Sequence, residues 1–235
     1  NQPIGNWDTS SVKSMRFMFF SARSFNQPLS WDISSVTDMS SLFYKTALSD
    51  CNKKHIYDSF SNSVNQGNEP KGWFSIEKWS SLCVTTAKPI TTTAKPTTTT
   101  AKPTTTTKKP FSPDGKDLKT AVNEWYNSRY NPVERTKVEG KYGNISGWDV
   151  SKVTDMTSLF SNKTEFNDDI SQWDTSSVTD MADMFNSAGS FNRPIWKWDT
   201  SSVKTMSAMF YYAKAFDQPI GDWDTSSVTT MFRMF

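Results

Sequence analysis

The chain has 235 residues, and its 26 Lys and Arg against 24 Asp and Glu leave a formal charge of +2, so no basic excess marks a dedicated nucleic-acid binder. An apolar fraction of 35% is low for a compact globule, whereas 10 Trp, 10 Met and 16 Phe exclude a disordered chain. The large side chains must therefore recur at set places, and no run of about 18 apolar residues is present to form a transmembrane helix.

In chain order, residues 1–48 read as the end of a repeat array. Trp7 and Trp31 lie 24 residues apart, and the pattern returns in residues 148–235, where Trp148, Trp173, Trp198 and Trp223 recur every 25 residues. Each Trp is followed by Val at the fifth place, Met at the eighth, and then an apolar pair such as Met18-Phe19 or Met184-Phe185. Met15, Met18, Phe19 and Ala22 have the spacing of one helical face over about two turns. The preceding Trp-Asp-Thr-Ser-Ser-Val-Thr suits a strand of a few residues. Asn26-Gln27-Pro28, Asn192-Arg193-Pro194 and Asp217-Gln218-Pro219 supply turns. One such unit cannot bury its own apolar face, so the expected fold is an α/β repeat solenoid. Each 24–25-residue coil would carry one short strand and one short helix, with Trp stacked on Trp and Phe on Phe.

Residues 49–84 break the repeat and read as the C-terminal cap of the first array. Ser49-Asp50-Cys51 starts a helix with Ile56 and Phe60 on the face of Leu48, and Trp73, Phe74 and Trp79 follow. Cys51 and Cys83 bracket this cap, as one disulfide in a secreted chain or as two reduced core thiols in a cytosolic one. Residues 85–110 contain 13 Thr, 5 Lys and 4 Pro, a disordered, mucin-like composition that builds no core and spans up to about 80 Å if extended. Without it the remaining residues carry a net charge of −3. Residues 111–147 read as the N-terminal cap of the second array, with a helix from Ser112-Pro113 that bears Leu118, Val122, Trp125 and Tyr126. Residues 148–235 form the second array, truncated like the first in mid-repeat.

The repeat Trp-Asp-Thr-Ser-Ser-Val-Thr-Asp-Met, with its following Met-Phe and Phe-Asn-Gln-Pro-Ile, resembles the BspA-like leucine-rich-repeat surface proteins over residues 1–48 and about 144–235. The resemblance implies a leucine-rich-repeat-like fold on an extracellular or cell-surface protein, often adhesive and without known enzymatic activity. Thr46, Lys163 and Asp169 depart locally from the pattern.

The chemistry on offer is that of binding. The sole histidine, His55, has no sequence-placed partner for a nucleophilic triad, and neither a Gly-rich phosphate loop nor a zinc spacing occurs. The Asp after each Trp (Asp8, Asp32, Asp149, Asp174, Asp199, Asp224) is expected to form an Asx-turn with the residue two places on. A calcium ladder that adds Asp155 and Asp180 is the functional alternative, although no cofactor is required. The expected interaction surface is the exposed strand face: Lys152, Thr154 and Asp155; Ser177, Thr179 and Asp180; Ser202, Lys204 and Thr205; Ser227 and Thr229. Such a flat, hydroxyl-rich face suits multivalent contact with an extracellular protein or glycan. A bare solvated sheet, ice or mineral binding through Ser/Thr ranks, and a purely structural surface-layer spacer are the competing readings, with a glycoside hydrolase ranked last. Asn144 and Asn162 begin N-glycosylation sequons. The expected protein is thus an extracellular or cell-surface adhesin, non-catalytic, with its two arrays held apart by a stalk.

Overall fold

A computed structural model describes residues 3–64, 69–83 and 110–235; the Thr/Lys/Pro linker apart from Pro110 lies outside the described residues.

The repeats are built from turns. In the coil of Trp173, the Asp174 carboxylate accepts the Ser176 N–H at 3.2 Å and its hydroxyl at 2.7 Å, and the Val178 N–H donates to the Thr175 carbonyl at 2.9 Å. The stretch expected to be a strand is therefore an Asx-turn closed into a four-residue turn. Beyond it the backbone alternates between two partners. Met184, Asn186 and Ala188 donate back three residues within the coil, to Met181, Asp183 and Phe185, while Met181, Asp183, Phe185 and Ser187 donate to Thr205, Ser207, Met209 and Tyr211 of the next coil at 2.7–3.1 Å.

This alternation requires a left-handed residue in every fourth place. Asp183 and Ser187 take φ of 56° and 59°, and the same sites recur at Phe17 and Ser21, Ser41 and Lys45, Ser158 and Asn162, and Ala208 and Tyr212. A non-glycine residue there costs roughly 1–2 kcal/mol, which the bonds between coils offset. A helix cannot pass through such residues. The expected α/β repeat solenoid, with one strand and one helix per coil, is thus overturned. Among the described residues there is no strand, only isolated parallel bridges, and every helix lies outside the repeats. The apolar spacing misled because consecutive four-residue turns also place side chains at i, i+3, i+4 and i+7 on one side.

Stacked turns bury the repeated large residues in ranks. Phe160, Phe185, Phe210, Phe235, Phe19 and Phe43 follow one another at 5.3, 5.7, 6.0, 5.6 and 5.7 Å. Each indole N–H donates to a neighbouring carbonyl, as Trp173 does to Ile145, Trp198 to Ile170, Trp223 to Ile195 and Trp7 to Ile220. Thr175, Thr200, Thr225 and Thr9 are buried, and their hydroxyls donate to the Asp199, Asp224, Asp8 and Asp32 carbonyls of the next coil at 2.7–2.9 Å. The indole N–H and Thr hydroxyl groups drawn into this narrow core thus find partners in the coils on either side.

These same ranks show that the two arrays form one stack. Thr230 bridges Ser14, and the Lys13 N–H donates to the Thr229 carbonyl at 2.7 Å. The coil of Trp223 therefore packs on the coil of Trp7, and the expected separation of the arrays by a stalk does not hold in this structure.

Caps close both ends. At one, α1 (Asp50–Ser61) starts at Ser49, whose side chain accepts the Asn52 N–H, and it buries Ile56 and Phe60. A short helix α2 (Phe74–Glu77) and a 3-10 turn (Lys78–Ser81) follow, and Trp79 packs 5.6 Å from Phe43. At the other end, α3 (Lys116–Asn127) buries Leu118, Ala121, Val122 and Trp125. Its N-cap is Gly115 at φ 64°, three residues beyond the expected Ser112, whose hydroxyl instead donates to Asp117 at 2.7 Å. Gly115 is required there because a Cβ would collide with the Asp155 carbonyl, as one on Gly72 (φ 89°) would with the Ser40 backbone at the opposite cap. Helix α4 (Pro132–Tyr142) was not anticipated, although Asn131 caps it and Pro132 stands in its first turn.

Candidate interaction face

Three parallel rows run along one side of the stack. In the first, Thr179 donates its N–H to the Thr154 carbonyl, Lys204 to Thr179, Thr229 to Lys204, Lys13 to Thr229, Thr37 to Lys13 and Lys71 to Thr37, all at 2.7–3.0 Å. The row thus continues from the second array through the first and onto the cap. The hydroxyls of Thr154, Thr179, Thr229 and Thr37 also donate to the preceding carbonyl, at 2.8, 3.1, 3.0 and 3.0 Å. With their protons so engaged, these threonines present acceptor lone pairs outward, and Lys204, Lys13 and Lys71 are the donors among them.

The second row holds the bridging residues Asp155, Asp180, Thr205, Thr230, Ser14 and Asp38. Asp155 and Asp180 each accept the N–H two residues on, from Thr157 and Ala182, at 2.8 Å. At Asp38 burial works to raise the carboxyl pKa, but the Ser40 side chain and N–H, with Arg16 and Lys71 nearby, hold it below its ordinary value. The third row is Lys152, Ser177, Ser202 and Ser227, in which Lys152 is exposed and the serines are half-buried; the Ser177 hydroxyl donates to the Ser151 carbonyl at 2.7 Å.

The Asx-turns account for the repeated acid of every coil. Asp8, Asp32, Asp149, Asp199 and Asp224 accept the N–H two places on at 2.8–3.1 Å, as Asp174 does. The Ser10 and Ser226 hydroxyls and N–H groups lower the pKa of Asp8 and Asp224. The described residues contain no group of three or more His, Cys, Asp or Glu placed to hold a metal ion.

Other sequence-marked residues lie away from the rows. Cys51 and Cys83 are disulfide-bonded with Cα atoms 4.7 Å apart, tying the first turn of α1 to the chain that leaves the cap. His55 is exposed, with Nε2 3.0 Å from the Ser30 hydroxyl. Asn144 is exposed and accepts from the Ser146 N–H and hydroxyl at 3.0 and 2.8 Å, and exposed Asn162 occupies a left-handed site.

A second surface was missed. At the variable turn positions, the coils of Trp148 and Trp173 carry Ser, Thr, Asn, Asp and Ala, whereas the coils of Trp198, Trp223, Trp7 and Trp31 carry aromatic and cationic groups. Phe17 meets Phe232 at 6.1 Å and Phe20 at 5.4 Å, and Phe20 meets Tyr44 at 5.0 Å. The guanidinium groups of Arg16 and Arg233 lie 4.6 and 5.2 Å from the Phe17 ring. The signal was legible as a departure from the polar residues of the other coils, but it was read through the core positions alone.

No helix of the described residues is long and apolar enough to cross a membrane. No curated protein and no solved structure matches the chain. A family model described as "Mycoplasma protein of unknown function, DUF285" matches residues 1–68 and 130–235. With all of its repeats and about half of each cap inside that match, the chain belongs to the DUF285 family.

Proposed function

We propose that the protein is a non-catalytic recognition protein of the cell surface or extracellular space, of the BspA-like kind, and that it binds protein or glycan ligands through the three polar rows. The carrying observation is the unbroken first row from Thr154 to Lys71, in which hydrogen bonds hold each residue in fixed register with the next. A ligand with a repeating pattern of donors gains many weak, simultaneous contacts on such a face. Preorganisation lowers the ordering cost of each contact. The disulfide fits an oxidising compartment, and the Thr- and Pro-rich linker fits a glycosylated extracellular segment.

The test is a glycan and matrix-protein array probed with the 235-residue chain, with and without EDTA. Binding that survives EDTA and falls at least tenfold in a Thr179→Glu, Lys204→Glu variant supports the reading. Binding unaffected by that variant, or no binder on the array, refutes it; EDTA-sensitive binding reinstates calcium.

A further inference from the structure

Nine of the ten tryptophans are buried, none more than 8% exposed, and each fills the core of a coil or of a cap. Trp196 is the exception, at 46% exposure. It stands two residues ahead of the core Trp198, with the corresponding turns of the Trp173 and Trp223 coils on either side.

Nothing in the local fold calls for an indole there. Trp196 and Lys197 are the central residues of a four-residue turn closed by the Trp198 N–H, which donates to the Ile195 carbonyl at 3.1 Å. The same turn, closed at 3.2 Å in each case, holds Ser171-Gln172 in the coil before and Gly221-Asp222 in the coil after. Small or short polar residues are what such a turn favours. The register along this edge is fixed, because the Trp198 indole donates to the Ile170 carbonyl and the Trp223 indole to the Ile195 carbonyl, both at 3.2 Å. The three turns therefore lie side by side, and the large ring rises between half-buried Ser171 and Gly221. The Lys197 ammonium lies 5.0 Å from its centroid.

The neighbours select the class of ligand. The centre of a protein interface is a dry patch in which large side chains cluster, whereas the other exposed residues of these three turns are Gln172, Lys197 and Asp222. An ammonium donates only, a carboxylate accepts only and an amide does both, so the matching ligand carries groups that each donate and accept, which are hydroxyls. A neutral pyranose offers hydroxyls around its edge together with an apolar C–H face, whose partial positive charge is drawn to the negative face of an indole.

We infer that Trp196 is the platform of a glycan-binding site, on which one neutral pyranose ring stacks while its hydroxyls bond Gln172, Lys197 and Asp222. The site lies on the turn ahead of each core Trp rather than on the polar rows that follow it, and it stands whether or not those rows bind a ligand.

The test titrates the full chain with neutral trisaccharides of glucose, galactose, mannose and N-acetylglucosamine, and with a sialylated trisaccharide as the charged control. Binding is read by calorimetry and by acrylamide quenching of tryptophan fluorescence, which reaches exposed Trp196 far more readily than the nine buried indoles. Saturable binding of at least one neutral trisaccharide is expected, with quenching that falls as the site fills. Trp196→Ala, at a turn position where other coils carry Ser or Gly, should weaken that binding tenfold or more, and Trp196→Tyr, which keeps an aromatic face, should retain more of it. The Thr179→Glu, Lys204→Glu variant should bind the trisaccharide like the wild type, which separates this site from the polar rows. Absence of saturable binding up to about 10 mM, a level at which even a weak specific contact is measurable, overturns the inference. So does binding indifferent to Trp196→Ala, an equal loss in the Ala and Tyr variants, or binding of the sialylated control alone. Release of a matrix protein rather than a sugar by Trp196→Ala assigns the ring to a protein contact and overturns the choice of a glycan.

Discussion

Thr225 offers a direct test of the single continuous stack, because its hydroxyl donates 2.8 Å to the Asp8 carbonyl across the junction between residues 217 positions apart. Thr200 makes the same 2.8 Å bond to Asp224 within one array, and both threonines are buried, at 0% and 1% exposure. Replacement by Val keeps the shape, and the stack already accommodates apolar residues here, since Val150 and Ile33 occupy the equivalent buried positions. What is lost is one neutral hydrogen bond, with a buried carbonyl left without its donor, a cost of about 1 kcal/mol and up to about 3 if the carbonyl gains no water. Each variant should therefore lower the melting temperature by about 2–4 °C per kcal/mol for a chain of this size. Urea denaturation of the wild type, Thr200→Val and Thr225→Val should show equal losses and unchanged slopes. A destabilising Thr200→Val beside a silent Thr225→Val would refute the stacking of one array on the other.

The turn architecture predicts that Ser158→Gly, at φ 57°, leaves stability unchanged or raises it by up to about 1 kcal/mol, whereas a helix interior would lose about that amount; thermal denaturation by circular dichroism decides. Reduction of the Cys51–Cys83 bond, which closes a 32-residue separation, should cost about 3–4 kcal/mol by loop entropy, read as a lower urea midpoint with a reductant present. Asp8 and Asp224 have folded pKa values below the ordinary 3.8, so their contribution is complete above that value and is lost as pH falls through it toward the folded pKa. The urea midpoint should hold above about pH 5 and decline below pH 4, and the Asp8→Asn, Asp224→Asn variant, which keeps the side-chain acceptor without the titration, should flatten the decline; an equally steep decline in the variant would show that other carboxylates govern it.

Much of the local chemistry was legible one repeat at a time. The Asp-Thr-Ser-Ser turn, the Ser49 helix start and the stacking of Trp on Trp and Phe on Phe depend on residues whose partners are either adjacent or one period away. The coil backbone was not legible, because Met181, Met184, Phe185 and Ala188 satisfy the template of a helix and that of successive four-residue turns equally well. The difference lies in where alternate N–H groups find acceptors, and those acceptors belong to the next coil. Asp183 and Ser187 pay for their left-handed backbone only because Thr205, Ser207, Met209 and Tyr211 are there to receive the bonds.

The order of the coils was equally beyond reach. A 25-residue period states that every coil fits every other, so sequence alone determined the ranks, the caps and the side chains of the polar rows. It was silent on which coil follows which. Only the tertiary structure seats the coil of Trp223 on that of Trp7, joining the polar rows into one face. Like edges are interchangeable in composition, and only packing in three dimensions selects among them.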